Sequence, residues 1–263
     1  MATGTAAGGR ATIGARTLRT DRWWAQPVTT FVVLLGFVVY STWAAFQNAN
    51  YYANPYLSPL YSPCIAANCA KSGAPYVAIF GTWWAISPAI LILVVPLGFR
   101  LTCYYYRKAY YRAFWRAPAA CAVREPHAKY SGETRFPLIL QNLHRYFFWI
   151  ALVLNVILSI DAVTAFRNHE GQWGHMGLGT LILIVNAALL WGYSLSCHAC
   201  RHAVGGRLRH FSKHPVRYWM WTQVSKLNAN HMQFAWISLG WVLFTDLYIR
   251  LVASGAFSDP RFF

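Results

Sequence analysis

Long apolar runs, separated by basic and aromatic segments, set the pattern of this chain. Five of them are about the length that a helix needs to cross a hydrocarbon core, ~20 residues. They run from Val28 to Gln47, Val77 to Phe99, Tyr146 to Phe166, Met176 to Ser196 and Met232 to Leu251. The pattern predicts an all-α integral membrane protein, a bundle of five transmembrane helices. The first run is too long for the apolar region of a signal peptide. No small-residue cleavage site follows it before Tyr51 and Tyr52, so it is expected to stay as an anchor. Pro88 and Pro96 lie in the second run and predict a bend there.

Composition agrees with the pattern, and charge adds an orientation. Of 263 residues 57% are hydrophobic and 11% charged, whereas a soluble domain carries ~25% charged residues. A net charge of +16 is compatible with nucleic-acid binding, but a soluble basic protein does not separate its basic segments by membrane-length apolar runs. Nucleic acid is therefore not expected as a partner. Lys and Arg divide nineteen to four across the five runs. The larger share lies in the N-terminal tail and the segments Arg100 to Arg145 and Arg201 to Lys226; the smaller is Lys71, Arg167, Arg250 and Arg261. The excess marks the cytoplasmic side. Residues 1 to 26 thus read as a basic cytoplasmic tail and 27 to 263 as the five-helix membrane domain, with the C-terminus outside.

The two long inner loops interleave aromatic and basic residues, as in Tyr104 to Arg116, on an expected interfacial helix. Snorkelling cations and aromatic anchors suit lipid headgroups. Inner loops of 30 to 40 residues are longer than headgroup contact needs, so docking of a soluble partner is expected as well. No internal repeat, Walker motif or dinucleotide fingerprint is present.

Candidate chemistry lies mostly on the same side. The outer loop holds Cys64 and Cys69, expected as a disulfide in an oxidising compartment. Cys103, Cys121, Cys197 and Cys200 fall on the cytoplasmic side, where disulfides are not expected. Cys197 and Cys200 are three apart and share a helical face; Cys103 ends the second helix at the same depth. With His144 and His198 as alternates, this set permits an iron–sulfur cluster ligated by cysteines or by a Rieske-like mixture of two Cys and two His. Zinc is the plainer alternative, and small buried thiols with interfacial histidines and no metal the plainest. The usual Rieske spacing is absent.

A single haem b between His144 and His198 competes with the cluster. Histidines at the outer level are His169 and His175, and the first two runs have none, which excludes a di-haem arrangement on four different helices. Asp161 and Asp246 lie within apolar runs, where ionisable groups are costly. Pairing of Asp246 with Arg250 and of Asp161 with Arg167 is expected.

Four stretches suggest a family: Leu-Gln-Asn-Leu-His-Arg-Tyr-Phe-Phe (140 to 148), Gly-His-Met-Gly-Leu-Gly-Thr (174 to 180), Cys-His-Ala-Cys-Arg-His (197 to 202) and Gly-Gly-Arg-Leu-Arg-His-Phe-Ser-Lys-His-Pro (205 to 215). Together they resemble the membrane-anchor subunit of actinobacterial succinate dehydrogenases, from about Tyr51 to the C-terminus. The resemblance implies a multi-pass subunit of the bacterial plasma membrane that binds quinone, usually menaquinone. It also implies docking of an iron–sulfur subunit, which carries the flavoprotein subunit where succinate is oxidised. Better-known five-helix members hold two haems through histidines of the second to fifth helices; here the second helix has no histidine and ends in Cys103. Polar groups that suit a quinone carbonyl near the inner surface are His144, Arg145, Ser225 and His231, beside Trp221 and Phe234. The reading from another class is a non-redox scaffold or carrier, but a carrier is expected to show repeated halves and a midplane polar site.

Overall fold

The computed structural model describes residues 20–75, 77, 79, 84, 86–121, 123 and 132–263. Most of the expected basic tail, with Arg10, Arg16 and Arg19, lies outside the described residues, as do parts of the segment from 76 to 85 and of the first inner loop.

The chain forms helices α1 (Ala25–Gln47), α2 (Ala89–Ile92), α3 (Val94–Thr102), α4 (Tyr104–Tyr110), α5 (His144–Thr164), α6 (Leu178–Leu195), α7 (His198–Gly205), α8 (Pro215–Ala229) and α9 (His231–Ala253). A two-residue antiparallel hairpin, β1 (Tyr52–Ala53) and β2 (Tyr56–Leu57), follows α1. Four helical stretches are long and apolar enough to cross a membrane: Ala25–Gln47, Leu138–Thr164, Leu178–Leu195 and His231–Ala253. They match the first, third, fourth and fifth apolar runs to within a few residues at their apolar cores. α6 sits between α5 and α9, and α3 packs on α5. Polar side chains bond across these contacts, as Asn155 Nδ2 does to Ser194 Oγ (2.8 Å) and Trp191 Nε1 to Ser159 Oγ (2.9 Å). Gly192 lets the Phe234 ring approach α6, since a Cβ there would meet the ring at 2.7 Å. Such small-residue contacts and interhelical bonds replace the hydrophobic drive that is absent between helices in lipid.

The second run differs from expectation. Among the described residues its helix begins at Ala89, not Val77, and Ala89–Thr102 counts as a span only together with Tyr104–Trp115, which it meets at 79°. Fourteen residues rise about 21 Å, short of the ~30 Å hydrocarbon core. Two features explain the shortening. Pro88 stands at the start of α2, and Pro96 lacks the N–H that would bond the carbonyl of Ile92, where α2 ends. The segment after α1 packs beside α2: Tyr51, Leu57, Leu60, Tyr61, Cys64, Cys69 and Ala74 are buried against Ala44, Ala45, Ala89 and Leu93. Within it Tyr51 stacks on Tyr61 at 4.0 Å and Cys64 is joined to Cys69 by a disulfide.

At the other end the helix breaks at Cys103, whose backbone is extended (ψ 129°). The chain turns there, and α4 with the π-helical turn Tyr111–Trp115 runs across the end of the bundle to α1, where Phe114 meets Phe31 at 4.8 Å. The aromatic and basic segment Tyr104 to Arg116 therefore caps the basic end of the bundle.

Buried charges hold the opposite end. Arg250 Nε bonds Asp246 Oδ2 at 2.7 Å, both side chains being almost wholly buried. Tyr40 Oη donates to Asp246 (2.7 Å), as does Ser58 Oγ, while Arg250 donates to Gln47 Oε1 (2.7 Å) and to the carbonyls of Ala49 (2.8 Å) and Ala44 (3.0 Å). Asp161 accepts from Ser62 Oγ instead of pairing with Arg167, which lies over the Trp173 ring at 4.2 Å. α5 ends at Thr164, so Arg167 lies beyond the helix that carries Asp161.

The C-terminal segment is strapped over the start of α6. Asp259 accepts from the backbone of Gly179 (2.8 Å), from Tyr56 Oη (2.8 Å) and from Tyr248 Oη (2.5 Å), and Met176 N bonds the Phe263 carbonyl (2.9 Å). A carboxylate from a distant segment thus caps the positive end of α6. Asp259→Ala is expected to destabilise the protein by about 1–2 kcal/mol, read as a lowered thermal midpoint in detergent with unchanged helix content.

Candidate metal centre

Four chemically reactive side chains stand at the basic end of the bundle in two pairs, each placed by a helix boundary. Cys103 stands between α3 and α4, and Cys197 between α6 and α7; both have extended backbone (ψ 129° and 147°) and are at most 2% exposed. His144 is the first residue of α5 and His231 the first of α9. A cysteine at a helix break directs its thiol into the bundle, where a continuous helix would fix it on one face.

The contacts cross between these elements. Cys103 Sγ lies 3.3 Å from His231 Nε2, and Cys197 Sγ 3.0 Å from His144 Nε2. Nδ1 of His144 is 3.0 Å from Thr102 Oγ1, and Nδ1 of His231 is 2.8 Å from Ser196 Oγ. Both hydroxyl hydrogens are committed elsewhere, Thr102 to the Gly98 carbonyl (2.7 Å) and Ser196 to the Tyr193 carbonyl (3.0 Å). The hydroxyl oxygens therefore accept from Nδ1–H, and each imidazole turns its Nε2 lone pair towards a thiol. Rings are clamped as well: Phe99 stacks on His144 at 5.0 Å and Tyr193 on His231 at 5.1 Å. Holding the far nitrogen and the ring plane is how proteins orient imidazole ligands.

Burial, and next the neighbouring Cys103, push the Cys197 thiol up to about 12. Cys197 is thus a thiol at neutral pH and becomes a thiolate only where a metal displaces its proton. Among the described residues no three His, Cys, Asp or Glu converge as a single metal-binding group; the four form two thiol–imidazole pairs. Four ligands, two sulfur and two nitrogen, are what a two-iron cluster with mixed ligation requires. Tyr193 Oη adds a second sign: it is buried and has no hydrogen-bond partner among the described residues. The donor set and the unpartnered phenol fit such a group.

The other candidates separate in space. Cys121 is exposed in the loop beyond Trp115, and Cys200 is buried on α7, where burial raises its pKa. His198 is exposed; its pKa is lowered, chiefly by desolvation and next by Arg201. With His144, Arg145, Gln141, Asn142 and His202 it lines a cavity of about 350 Å³. Trp221 and Ser225 lie on α8 against Arg201, whose guanidinium is 4.8 Å from the Trp221 ring centre and whose Nε bonds Ser225 Oγ at 3.1 Å. The residues expected around one quinone therefore fall into three places: the cavity, the α7–α8 contact and, for His231, the interior beside Cys103. A sequence signal for His231 exists in the two hydroxyl–cysteine pairs, Thr102-Cys103 and Ser196-Cys197. In each, the hydroxyl holds the histidine that faces the other cysteine.

The description "Actinobacterial succinate dehydrogenase subunit SdhC" matches residues 25–255. Among solved structures, a chain of the Mycobacterium smegmatis Sdh1 complex in the apo form is 56% identical, with a TM-score of 0.87 and coverage of 100% of both chains. No curated protein matches. A match over nearly the whole membrane domain, on a bundle built as described, establishes the family: the chain belongs to the actinobacterial succinate dehydrogenase SdhC subunits.

Proposed function

We propose that this subunit passes electrons from the iron–sulfur and flavoprotein subunits of a succinate dehydrogenase to a membrane quinone, through a two-iron, two-sulfur centre held by Cys103, Cys197, His144 and His231. The observation that carries the reading is the crossed pair of thiol–imidazole contacts, each imidazole anchored at Nδ1 and presenting Nε2. Such a centre, when bound, takes up and returns one electron at a time. The chain supplies the rest. Four buried or half-buried ligands at helix boundaries keep water away, and Thr102 and Ser196 fix the imidazole orientation. Imidazole in place of two thiolates raises the potential of a two-iron cluster, which favours electron entry from succinate.

Orientation follows the charge. α4, α7, α8 and the starts of α5 and α9 share the basic end, which is read as cytoplasmic with the N-terminus. That end presents exposed Phe211, Val216, Tyr218, Trp219 and Met220 beside Arg209, Lys213 and Arg217, a face suited to the iron–sulfur subunit as well as to lipid. The disulfide and the C-terminus then face outside. The cavity beside His144, within one side chain of the centre, is the proposed quinone headgroup site, with Arg145 as carbonyl donor. Arg145→Ala is expected to raise the quinone KM about tenfold, as loss of one charged hydrogen bond does, and to leave succinate oxidation with a soluble dye unchanged.

Optical and electron paramagnetic resonance spectra of the dithionite-reduced complex test the centre. The expected result is a cluster signal that disappears in Cys197→Ser. A haem Soret band without such a signal contradicts the reading in favour of haem b; a colourless anchor with bound zinc contradicts it in favour of a structural site.

A further inference from the structure

Beside the four ligands lie two groups that their packing does not use. Tyr193 on α6 is 2% exposed, its ring stacked on His231 and edge-on to Phe99 at 5.3 Å, and its hydroxyl unpartnered among the described residues. The His231 on which its ring stacks has Nε2 3.3 Å from Cys103 Sγ. Leaving a buried hydroxyl unbonded costs ~1–3 kcal/mol, and phenylalanine would fill the same space without that cost. Beneath the ring, 4.6 Å from its centre, is the Arg100 guanidinium, itself only 8% exposed. Arg100 donates to Tyr106 Oη (2.6 Å), the Ala235 carbonyl (3.2 Å) and Ser238 Oγ (3.0 Å). These partners, among the described residues, are all neutral, in contrast to Arg250, which has Asp246. A buried guanidinium with no carboxylate bonded to it is costly unless a negative charge forms nearby.

We propose that Tyr193 and Arg100 set the reduction potential of the centre held by Cys103, Cys197, His144 and His231: the phenol donates a hydrogen bond to a ligand sulfur, and the guanidinium beneath the ring offsets the negative charge gained on reduction. The inference rests on the ligand set proposed above. Hydrogen bonds to the sulfurs and nearby charge are two of the means by which a protein tunes such a cluster. Both act in the same direction, because each stabilises the reduced form, which holds one more electron, over the oxidised form. Tyr193 and Arg100 are positioning residues; neither is a ligand.

Redox titration of the purified complex, followed by electron paramagnetic resonance, tests this. Tyr193→Phe keeps the ring, its stack on His231 and its place over Arg100. It is expected to lower the midpoint potential by about 60 mV, a tenfold change in a one-electron reduction equilibrium. Arg100→Gln is expected to lower it to a similar degree, and Arg100→Lys, which keeps the charge, to hold it near the wild-type value. A wild-type potential in Tyr193→Phe overturns the inference, all the more if thermal stability rises, since an idle buried hydroxyl would give that pair of results. If Arg100→Gln does not assemble, Tyr193→Phe alone decides. Absence of any cluster signal in the wild-type complex overturns the ligand assignment and this inference with it; a normal wild-type signal with unshifted variants overturns only the inference.

Discussion

Cys103→Ala and Cys197→Ala are each expected to reduce electron transfer from succinate to quinone by at least about 100-fold, while succinate oxidation with a water-soluble dye, taken from the partner subunits, continues. Loss of residues that merely orient metal ligands costs 10–100-fold in affinity or activity, so loss of a ligand must cost at least as much. The two cysteines are equivalent in position: each is buried at a helix break, each faces an imidazole from another helix, and each follows a hydroxyl residue that anchors the opposite imidazole. Cys121→Ala, by contrast, removes an exposed side chain and is expected to leave quinone reduction unchanged. A Cys121→Ala variant as impaired as Cys197→Ala would refute the assignment of ligands by depth and burial.

The second large effect concerns the far end of the bundle. Asp246→Asn is expected to destabilise the protein by about 3–5 kcal/mol, the usual cost of breaking one side of a buried ion pair, and to lower its thermal midpoint accordingly. Arg250 would remain buried, bonded to Gln47 and the carbonyls of Ala44 and Ala49 but without its counter-charge. The pair joins α9 to α1 and, through Ser58, to the buried segment that follows α1. Limited proteolysis of the segment between α1 and α2 should therefore accelerate in Asp246→Asn. A simultaneous Asp246→Leu, Arg250→Met replacement is expected to recover much of the stability, because apolar residues of similar volume often substitute for a buried pair without loss. Single and double variants of equal stability would contradict a charge-pair role.

Four spans are legible in the sequence because each is an apolar run with charged or aromatic flanks, and length alone separates such a run from a soluble helix. The second departs from its expected length for a physical reason. Hydropathy reports the preference of residues for an apolar medium, not whether they form a helix there. Val77 to Ser87 is apolar, yet among its described residues none is helical, while the Tyr-rich segment before it folds into the bundle. Burial of that segment depends on Asp246, Asp161 and Arg250 from distant helices, which no local pattern contains. The pairing of Asp246 with Arg250 is readable, since four residues on one helix fix their contact; that of Asp161 is not, because Ser62 lies 99 positions away.

At the site, compartment and depth single out Cys103, Cys197 and His144 together with Cys121, Cys200 and His198. The structure separates these by burial and by helix boundaries. The contact of His231 with Cys103 escapes sequence reasoning because periodicity tells which face a residue occupies, not which other helix end that face meets. The twofold occurrence of a hydroxyl residue before cysteine, at Thr102-Cys103 and Ser196-Cys197, is present in the sequence and acquires meaning once both pairs are seen at the same end of the bundle.

The central claim is that two cysteines and two histidines of this subunit hold a two-iron centre. Pulsed electron paramagnetic resonance of the reduced complex, which detects nitrogen coupled to the cluster electron, tests it most directly. The account predicts two imidazole nitrogen couplings on one cluster, with one of them removed in His231→Cys. A reduced complex in which no cluster shows nitrogen coupling, or in which His231→Cys leaves both couplings in place, would contradict it.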